Sequence, residues 1–181
     1  MSTLKTNSIT DVSGKPLVNN SGGIIQVVQT VKTDPWSAGG NATTFYPVTG
    51  LTATITPTSA ASKILVQVMM TVSSGYWEVQ TRLTKNGSAI SGATGDTAGS
   101  RSRATTSSNQ YYGGVAGYGQ YNPNITYLDS PATISATTYG VELNGYSSYT
   151  IGLNQNVYDT TDRADYYART AATMILMEVV G

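Results

Sequence analysis

The sequence predicts an all-β protein built as an antiparallel β-sandwich, and three observations support this prediction. Thr, Val, Ile and Tyr, which favour strands, dominate the chain. Leu and Ala never fall into a sustained 3.6-residue repeat, so helix signals are nearly absent. Short strand-like segments recur at the spacing of a sandwich or barrel, with Gly every few residues.

The predicted strands begin only after a polar leader. Residues 1–23 are rich in Ser, Thr, Asn and Gly, and we interpret them as an extended attachment or oligomerisation segment. An ordinary frayed terminus is the alternative. Residues 24–181 then form the predicted sandwich head, with strands at about 24–33, 44–56, 63–73, 76–84, 111–118, 125–129, 133–144, 148–155 and 166–180.

The segment "YWEVQTRLTKNGSAI" shows the clearest alternation of apolar and polar residues. Trp77, Val79, Thr81 and Leu83 share one phase, which predicts a core face and a wet face. Asn86-Gly87 follows and tolerates the positive φ angles of a tight turn. The sequence therefore predicts a hairpin that returns over residues 88–90.

Two other strands are apolar on both faces. "KILVQVMMTV" has apolar residues in both phases, and so does the final "ATMILMEVV". Because only one face of each sheet in a sandwich meets the core, the outer face needs a cover. We expect a second copy of the chain to provide it, with a covering loop as the alternative. The predicted interface residues of the last strand are Met174, Leu176 and Val180.

Composition argues against most enzyme classes. The 181 residues include no Cys and no His, which removes thiol chemistry, disulfides and imidazole bases. The ten basic and ten acidic residues balance, so there is no charge excess to bind nucleic acid. No apolar run is long enough for a membrane span. We expect a protein that is not an enzyme and that needs no cofactor.

A long polar segment, residues 92–109, is predicted to be an exposed loop. Its Arg101 and Arg103 are the densest positive charge in the chain. An ordinary solvated loop is one interpretation, and a site for an anionic ligand is the other.

Tyrosine is unusually frequent, with thirteen residues against one Phe and two Trp. Five of them lie in the Gly-rich stretch "YYGGVAGYGQYNPNITY" and form a predicted interface or recognition patch: Tyr111, Tyr112, Tyr118, Tyr121 and Tyr127. Tyr offers an apolar ring with a polar tip, which suits both a subunit interface and contact with a glycan or receptor. An ordinary sheet surface is the third alternative. Trp36 and Tyr146 are candidates to join this patch.

Several acidic residues are candidates for metal ligands or for catalytic groups. Asp159, Asp162 and Asp165 are three residues apart around Arg163, which fits a salt-bridged turn, with a calcium site as the alternative. A glycosidase needs two carboxyl groups across a cleft. The sequence offers no cleft signal around its candidate carboxylates: Glu78, Glu142, Asp129 and Asp159.

The amphipathic strand running into "RLTKNGSAI", a long variable region and the apolar last strand "AATMILMEVVG" together resemble the trimeric jelly-roll heads of the TNF/C1q-like class. The resemblance covers about 24–181. It implies a jelly-roll sandwich and a homotrimer.

A second resemblance bears on the biological role of the protein. The opening "LKTNSITDVSGKP" and the phrase "ITPTSAASKILV" are similar to small virion proteins of tailed bacteriophages, in particular marine-phage tail fibres and appendages. It implies a non-enzymatic part of the virion, made in the cytoplasm of the infected host, that joins other virion proteins through its N-terminal segment and contacts a host glycan or receptor. A capsid decoration or cement protein is the alternative.

Overall fold

A computed structural model of the chain describes residues 12–13, 23–41, 43–110, 119–158 and 168–181, with only the backbone of Asn109 and Gln110. The predicted strand at 111–118 lies outside these residues. The described part contains thirteen strands: β1 Ile24–Lys32, β2 Trp36–Gly39, β3 Tyr46–Ile55, β4 Lys63–Met69, β5 Val72–Ser74, β6 Trp77–Lys85, β7 Ser88–Ala89, β8 Thr106–Gln110, β9 Gln120–Tyr121, β10 Ile125–Asp129, β11 Thr137–Gly145, β12 Thr150–Leu153 and β13 Ala172–Val179.

The strands form two facing layers, which confirms the predicted fold class. One layer, the first sheet, has the order β1-β13-β4-β10. The second sheet has the order β3-β11-β6, and β7 and β8 both pair with the remaining edge of β6. All of these pairs are antiparallel. The chain crosses repeatedly between the layers, as in a jelly roll.

A further group of short strands extends the first sheet beyond a break. Its order, β2-β12-β5-β9, repeats the order of the first sheet, strand for strand. Each short strand runs in the same direction as the longer strand next to it in the sequence, so that β2 continues β1 and β5 continues β4. The first layer is therefore a set of four long strands, each interrupted at the same level.

The longest interruption separates β12 from β13 and is anchored by Asn154. This residue has φ +59°, a left-handed conformation that Asn tolerates better than most residues. Its amide nitrogen Nδ2 donates a 2.8 Å hydrogen bond to the Lys32 carbonyl, and its own carbonyl accepts one from Thr170 N. These bonds hold the two ends of the interruption together at the sheet.

The core lies between the layers and follows the two-residue period of the strands. Fully buried side chains from the first sheet include Ile64, Val66 and Val68, and they face Leu51 and Leu143 from the second sheet. In β6, Val79, Thr81 and Leu83 are buried, as the alternation predicted. Burial of this apolar surface is the main stabilising contribution.

The predicted hairpin is confirmed. Asn86 and Gly87 have φ values of +51° and +77°, and β7 pairs back onto β6 through Ser88 and Ala89. Two features of this region differ from prediction. Trp77 has φ +57° and is half-buried rather than part of the core. Residues 106–109 of the predicted loop, together with Gln110, form strand β8 along the β6 edge.

The last strand requires a correction. Met174 and Leu176, predicted at an interface, are completely buried and belong to the core of this chain. Val180 is half-buried just after the strand. The outward phase of β13 consists instead of Thr173, Ile175, Met177 and Val179, all half-buried. The core-facing phase also includes Glu178, whose carboxylate is buried against Thr58. The phase of the last strand that was predicted to face a partner therefore faces the core of its own chain.

Candidate binding surfaces

The outward side of the first sheet, which we call the outer face, carries an apolar row across four strands. Val27, Met177, Leu65 and Leu128 are aligned in register from β1 through β13 and β4 to β10. Val27 is 60% exposed and Leu128 is 47% exposed, although both lie on a sheet whose opposite side is fully packed. A contiguous apolar surface of this kind marks an interaction site.

The next two rows of the outer face, on one side of the apolar row, are uncharged. The next row consists of Gln29, Ile175, Gln67 and Thr126, and the row beyond it contains Val31, Thr173 and Met69. Val31 and Met69 are each about half exposed. Lys63 adds a cation at the end of β4. The outer face therefore offers apolar contacts and amide or hydroxyl groups, and its aligned rows bring no carboxylate.

A second surface is a cluster of aromatic rings at one end of the sandwich, to which the described residues contribute four. Tyr76 stacks on Tyr149 with 4.8 Å between ring centroids and contacts Trp77 edge to face at 5.2 Å. Tyr146 lies 6.1–6.4 Å from the other three rings. Tyr146 is 51% exposed and Tyr149 is 43% exposed, whereas Tyr76 and Trp77 are half-buried. We call these four residues the aromatic cluster.

Backbone hydrogen bonds fix the segments that carry the aromatic cluster. Gly75 N donates to Thr150 O at 2.8 Å, and Gly40 N donates to Tyr149 O at 2.6 Å. A Cβ at Gly40 would lie 2.4 Å from that carbonyl oxygen, so this approach requires Gly. The positive φ of Trp77 is a strained conformation for a bulky residue and costs about 1–3 kcal/mol. Such strain is concentrated at functional sites.

An open groove of about 340 Å³ adjoins the aromatic cluster. Its lining is Gly40, Asn41, Ser147 and Ser148. The Asn41 side chain is oriented by its Oδ1, which accepts hydrogen bonds from the amide and hydroxyl of Thr43. The described residues of the groove thus present an amide and two hydroxyl side chains, and none of them is charged.

The two loop arginines have different environments. Arg103 donates from Nε to Gly95 O at 2.6 Å and from a guanidinium NH2 to Ser91 O at 3.3 Å, so it fastens its own loop. Arg101 is exposed and lines a groove of about 540 Å³ that also contains Glu78 and Gln80. A carboxylate in the same groove makes it a poor site for an anion.

The predicted tyrosine patch is divided by the fold. Tyr111, Tyr112 and Tyr118 lie outside the described residues. Tyr121 and Tyr127 are half-buried and pack against the core, and burial raises the pKa of the Tyr121 hydroxyl. Tyr127 also lies under the 92–105 loop, since a Cβ at Gly92 would be 2.8 Å from its hydroxyl oxygen. Trp36 likewise packs against the core, whereas Tyr146 joins the aromatic cluster.

The described candidate carboxylates have structural partners. Asp129 is buried against Tyr139 and Lys85, while Glu78 accepts hydrogen bonds from Gln80 and Ser107. Burial raises the pKa of Glu142, and the opposite charge of its cross-strand neighbour Arg82 counteracts this. Asp159, Asp162 and Asp165 lie outside the described residues, so the calcium and salt-bridge alternatives stay predictions.

Within the described ranges, the acidic side chains form no group of three that could hold a metal ion. No helix long and apolar enough to cross a membrane occurs in the same ranges.

No protein-family model matches this chain, and no curated protein is significantly similar to it. Its function must therefore be argued from its own surfaces.

Proposed function

We propose that this chain is a non-enzymatic binding head that associates through its outer face into a homotrimer and acts as a tail-fibre or appendage part of a phage particle. The observation that carries the association is the apolar row of Val27, Met177, Leu65 and Leu128. These four side chains do not belong to the buried core, so covering them would remove further apolar surface from water.

The chemistry of the outer face favours a second copy of the same chain as its cover. A face without carboxylates in its rows offers little to a strongly charged partner, whereas apolar rows with Gln and Thr between them can pack against the same kind of surface on neighbouring copies. In an oligomer with closed symmetry, the outer face of every copy would then be buried. The number three comes from the resemblance to TNF/C1q-like heads.

The assignment to a virion is supported by the sequence phrase "ITPTSAASKILV". This phrase runs from the end of β3 into β4 and contains Thr58, which binds Glu178 of the last strand. The part of the sequence that is similar to phage structural proteins is therefore a segment that takes part in the packing of this fold. Residues 1–23, which we propose as the attachment segment, lie largely outside the described residues.

Light scattering tests the proposed association. The full chain should have the mass of three copies, and so should a variant that begins at Gly22, because the contacts lie in the sandwich. Met177→Glu should give a folded monomer, since a carboxylate in the apolar row is costly to bury. Ile134→Glu places the same charge on an exposed side chain of the β10–β11 loop and should stay trimeric. A full chain that is monomeric would overturn the proposal.

A binding assay separates the two virion roles. A host-attachment head should bind host cells through its exposed loops, with or without residues 1–21. A decoration protein should bind empty capsids and lose this binding when those residues are removed.

A further inference from the structure

We propose that the aromatic cluster and the adjoining groove form a binding site for a neutral saccharide. This inference deepens the proposed function and rests on it in one respect, since an attachment head needs a ligand on the host surface. The site itself is argued from the rings and the groove, which lie at the end of the sandwich rather than on the outer face.

The aromatic cluster presents ring surface where the fold does not need it. Tyr146 and Tyr149 sit in the turn between β11 and β12, and each keeps about half of its surface in water. A four-residue turn is readily built from small polar residues, as the intervening Ser147 and Ser148 show. Exposed aromatic rings that contact one another, rather than occurring singly, indicate a surface for a ligand.

The form of the cluster favours a flat ligand face. Tyr149 is 27° from parallel with Tyr76 and 20° from parallel with Tyr146, while Tyr76 and Tyr146 are tilted by 47°. The three centroids lie 4.8–6.4 Å from one another, so the rings lie side by side in a triangle rather than around a central space. A cage for a quaternary ammonium group instead surrounds the cation with ring faces. The apolar C–H face of a pyranose ring can lie on tyrosine rings of this kind, while the tyrosine hydroxyls stay in contact with water.

The groove supplies the polar half of such a site. Ser147 and Ser148 belong to the same turn as Tyr146 and Tyr149, and Asn41 lines the same groove. Hydroxyl and amide groups donate and accept hydrogen bonds, as sugar hydroxyls require. Its volume of about 340 Å³ is at the lower end of the range for ligand sites, about 300–1,000 Å³.

The absence of charge in this lining selects among ligands that stack on aromatic rings. A nucleotide or a single nucleic-acid strand also stacks, but it brings phosphates that call for Lys or Arg nearby. Among the residues that the structure describes, the aromatic cluster and the groove lining consist of Tyr, Trp, Gly, Asn and Ser. A neutral saccharide matches both the rings and the hydrogen-bonding groups.

Truncation of the exposed rings should leave the fold intact. The turn is held by backbone bonds, from Gly40 N to Tyr149 O and from Tyr149 N to Tyr146 O, which a side-chain change retains. Tyr146→Ala and Tyr149→Ala are therefore suitable test variants. Ile134→Ala is the matched control, because Ile134 is 64% exposed and precedes the other end of β11, about 25–30 Å away along that strand.

The experiment titrates the full chain with methyl glycosides of glucose, galactose, mannose and N-acetylglucosamine and follows tryptophan fluorescence. Trp77 and Trp36 are the two emitters. In Trp36→Phe the signal reports Trp77 alone. At least one glycoside should give a saturable change in both proteins. Tyr146→Ala or Tyr149→Ala should weaken that binding by about ten-fold or more, and Ile134→Ala should leave it unchanged.

Several outcomes would overturn the inference. These are no response to any glycoside by the folded protein, binding that survives both tyrosine variants, and a response only to phosphocholine or to a thymidine oligonucleotide. Light scattering on the same samples distinguishes this failure from failure of the proposed function. A trimer that binds no glycoside refutes the saccharide site alone, whereas a monomer that binds one refutes the proposed assembly alone.

Discussion

The Tyr139 hydroxyl donates a 2.6 Å hydrogen bond to Oδ2 of Asp129 and thereby joins the two layers of the sandwich. Tyr139 belongs to β11 of the second sheet, and Asp129 ends β10 of the first. Lys85 of β6 donates to the same oxygen at 2.8 Å. A carboxylate that is only 5% exposed is thus held by two donors, both from the opposite sheet.

Tyr139→Phe should therefore destabilise the protein without changing its shape. The variant removes one of two donors to a buried carboxylate, which costs about 1–3 kcal/mol of the free energy of unfolding. Tyr149→Phe removes a hydroxyl from an exposed ring and serves as the matched control, with no expected loss. Urea denaturation measures both. Equal stability of Tyr139→Phe and the parent would mean that the bond does not stabilise the contact between layers.

The same pair has a consequence at alkaline pH. Burial, and then the hydrogen bond to Asp129, raise the pKa of the Tyr139 hydroxyl above its ordinary value of 10.0. A raised folded-state pKa contributes stability that is complete below the ordinary value and is lost as pH rises above it. The parent should lose stability above about pH 10, and Tyr139→Phe should lose less over the same range.

For Glu178 we expect the opposite dependence of stability on pH, with a loss of stability as pH falls in the acid range. Its burial opposes ionisation, but the hydroxyl and the backbone amide of Thr58 donate to Oε1 at 2.8 and 2.7 Å, and these bonds lower the pKa of the carboxyl below 4.5. A lowered folded-state pKa contributes stability that is complete above the unfolded value and is lost as pH falls through the folded value. Thermal melting should therefore show a loss of stability below about pH 4.5.

Variants isolate this contribution of Glu178. Glu178→Gln should be less stable than the parent at neutral pH, and its melting temperature should change less on acidification. Glu142→Gln is the comparison, because burial raises the pKa of Glu142 and its ionised form is the disfavoured one. Glu142→Gln should be at least as stable as the parent at neutral pH. Identical acid profiles of Glu178→Gln and the parent would contradict the assignment.

The sequence pattern was sufficient to predict the sandwich, because the alternation of apolar and polar residues along a strand is a local property. In β6, Val79, Thr81 and Leu83 are buried as their spacing predicts, and Asn86-Gly87 forms the predicted turn. It was insufficient for the last strand, where both phases are apolar. Glu178 shares its phase with Met174 and Leu176, and an acidic residue on a strand ordinarily marks the solvent face. Its capping by Thr58 depends on a contact 120 residues apart in the chain.

The aromatic cluster could not be predicted because it depends on tertiary pairing. Tyr76 and Tyr149 lie in separate turns, and the pairing of Ser74 with Ile151 between β5 and β12 brings them together. Trp77 has the spacing of a core residue in β6, but its positive φ takes it out of that phase. The sequence does carry one signal, since each turn places tyrosine beside Gly or Ser, but this signal is shared by the Tyr111–Tyr127 stretch.

Gly87 provides a test of the hairpin that involves backbone strain alone. Its φ is +77°, and a Cβ placed there would have no atom within 4 Å. Gly87→Ala should therefore lower the free energy of unfolding by about 1–2 kcal/mol through the left-handed conformation only. Gly39→Ala also adds a methyl group in open space, but without a positive φ, and should change stability by less than about 0.5 kcal/mol. Equal effects of the two changes on urea denaturation would contradict the turn geometry.

The neighbouring residues Leu176 and Met177 test which phase of the last strand faces the core. Leu176 is completely buried, so Leu176→Ala should cost about 2–5 kcal/mol of the free energy of unfolding. Met177 is half-buried on the outer face, and Met177→Ala should have a smaller effect on the fold. Because Met177 lies in the apolar row, its truncation should instead weaken self-association.

Two measurements on the same pair of variants complete this test. Urea denaturation at low protein concentration reports the fold, and light scattering over a dilution series reports association. Leu176→Ala should lower the denaturation midpoint, whereas Met177→Ala should raise the concentration at which the oligomer dissociates. The reverse pattern, with Met177→Ala the more destabilised monomer, would place Leu176 on the outer face and return the interface to the phase that the sequence predicted.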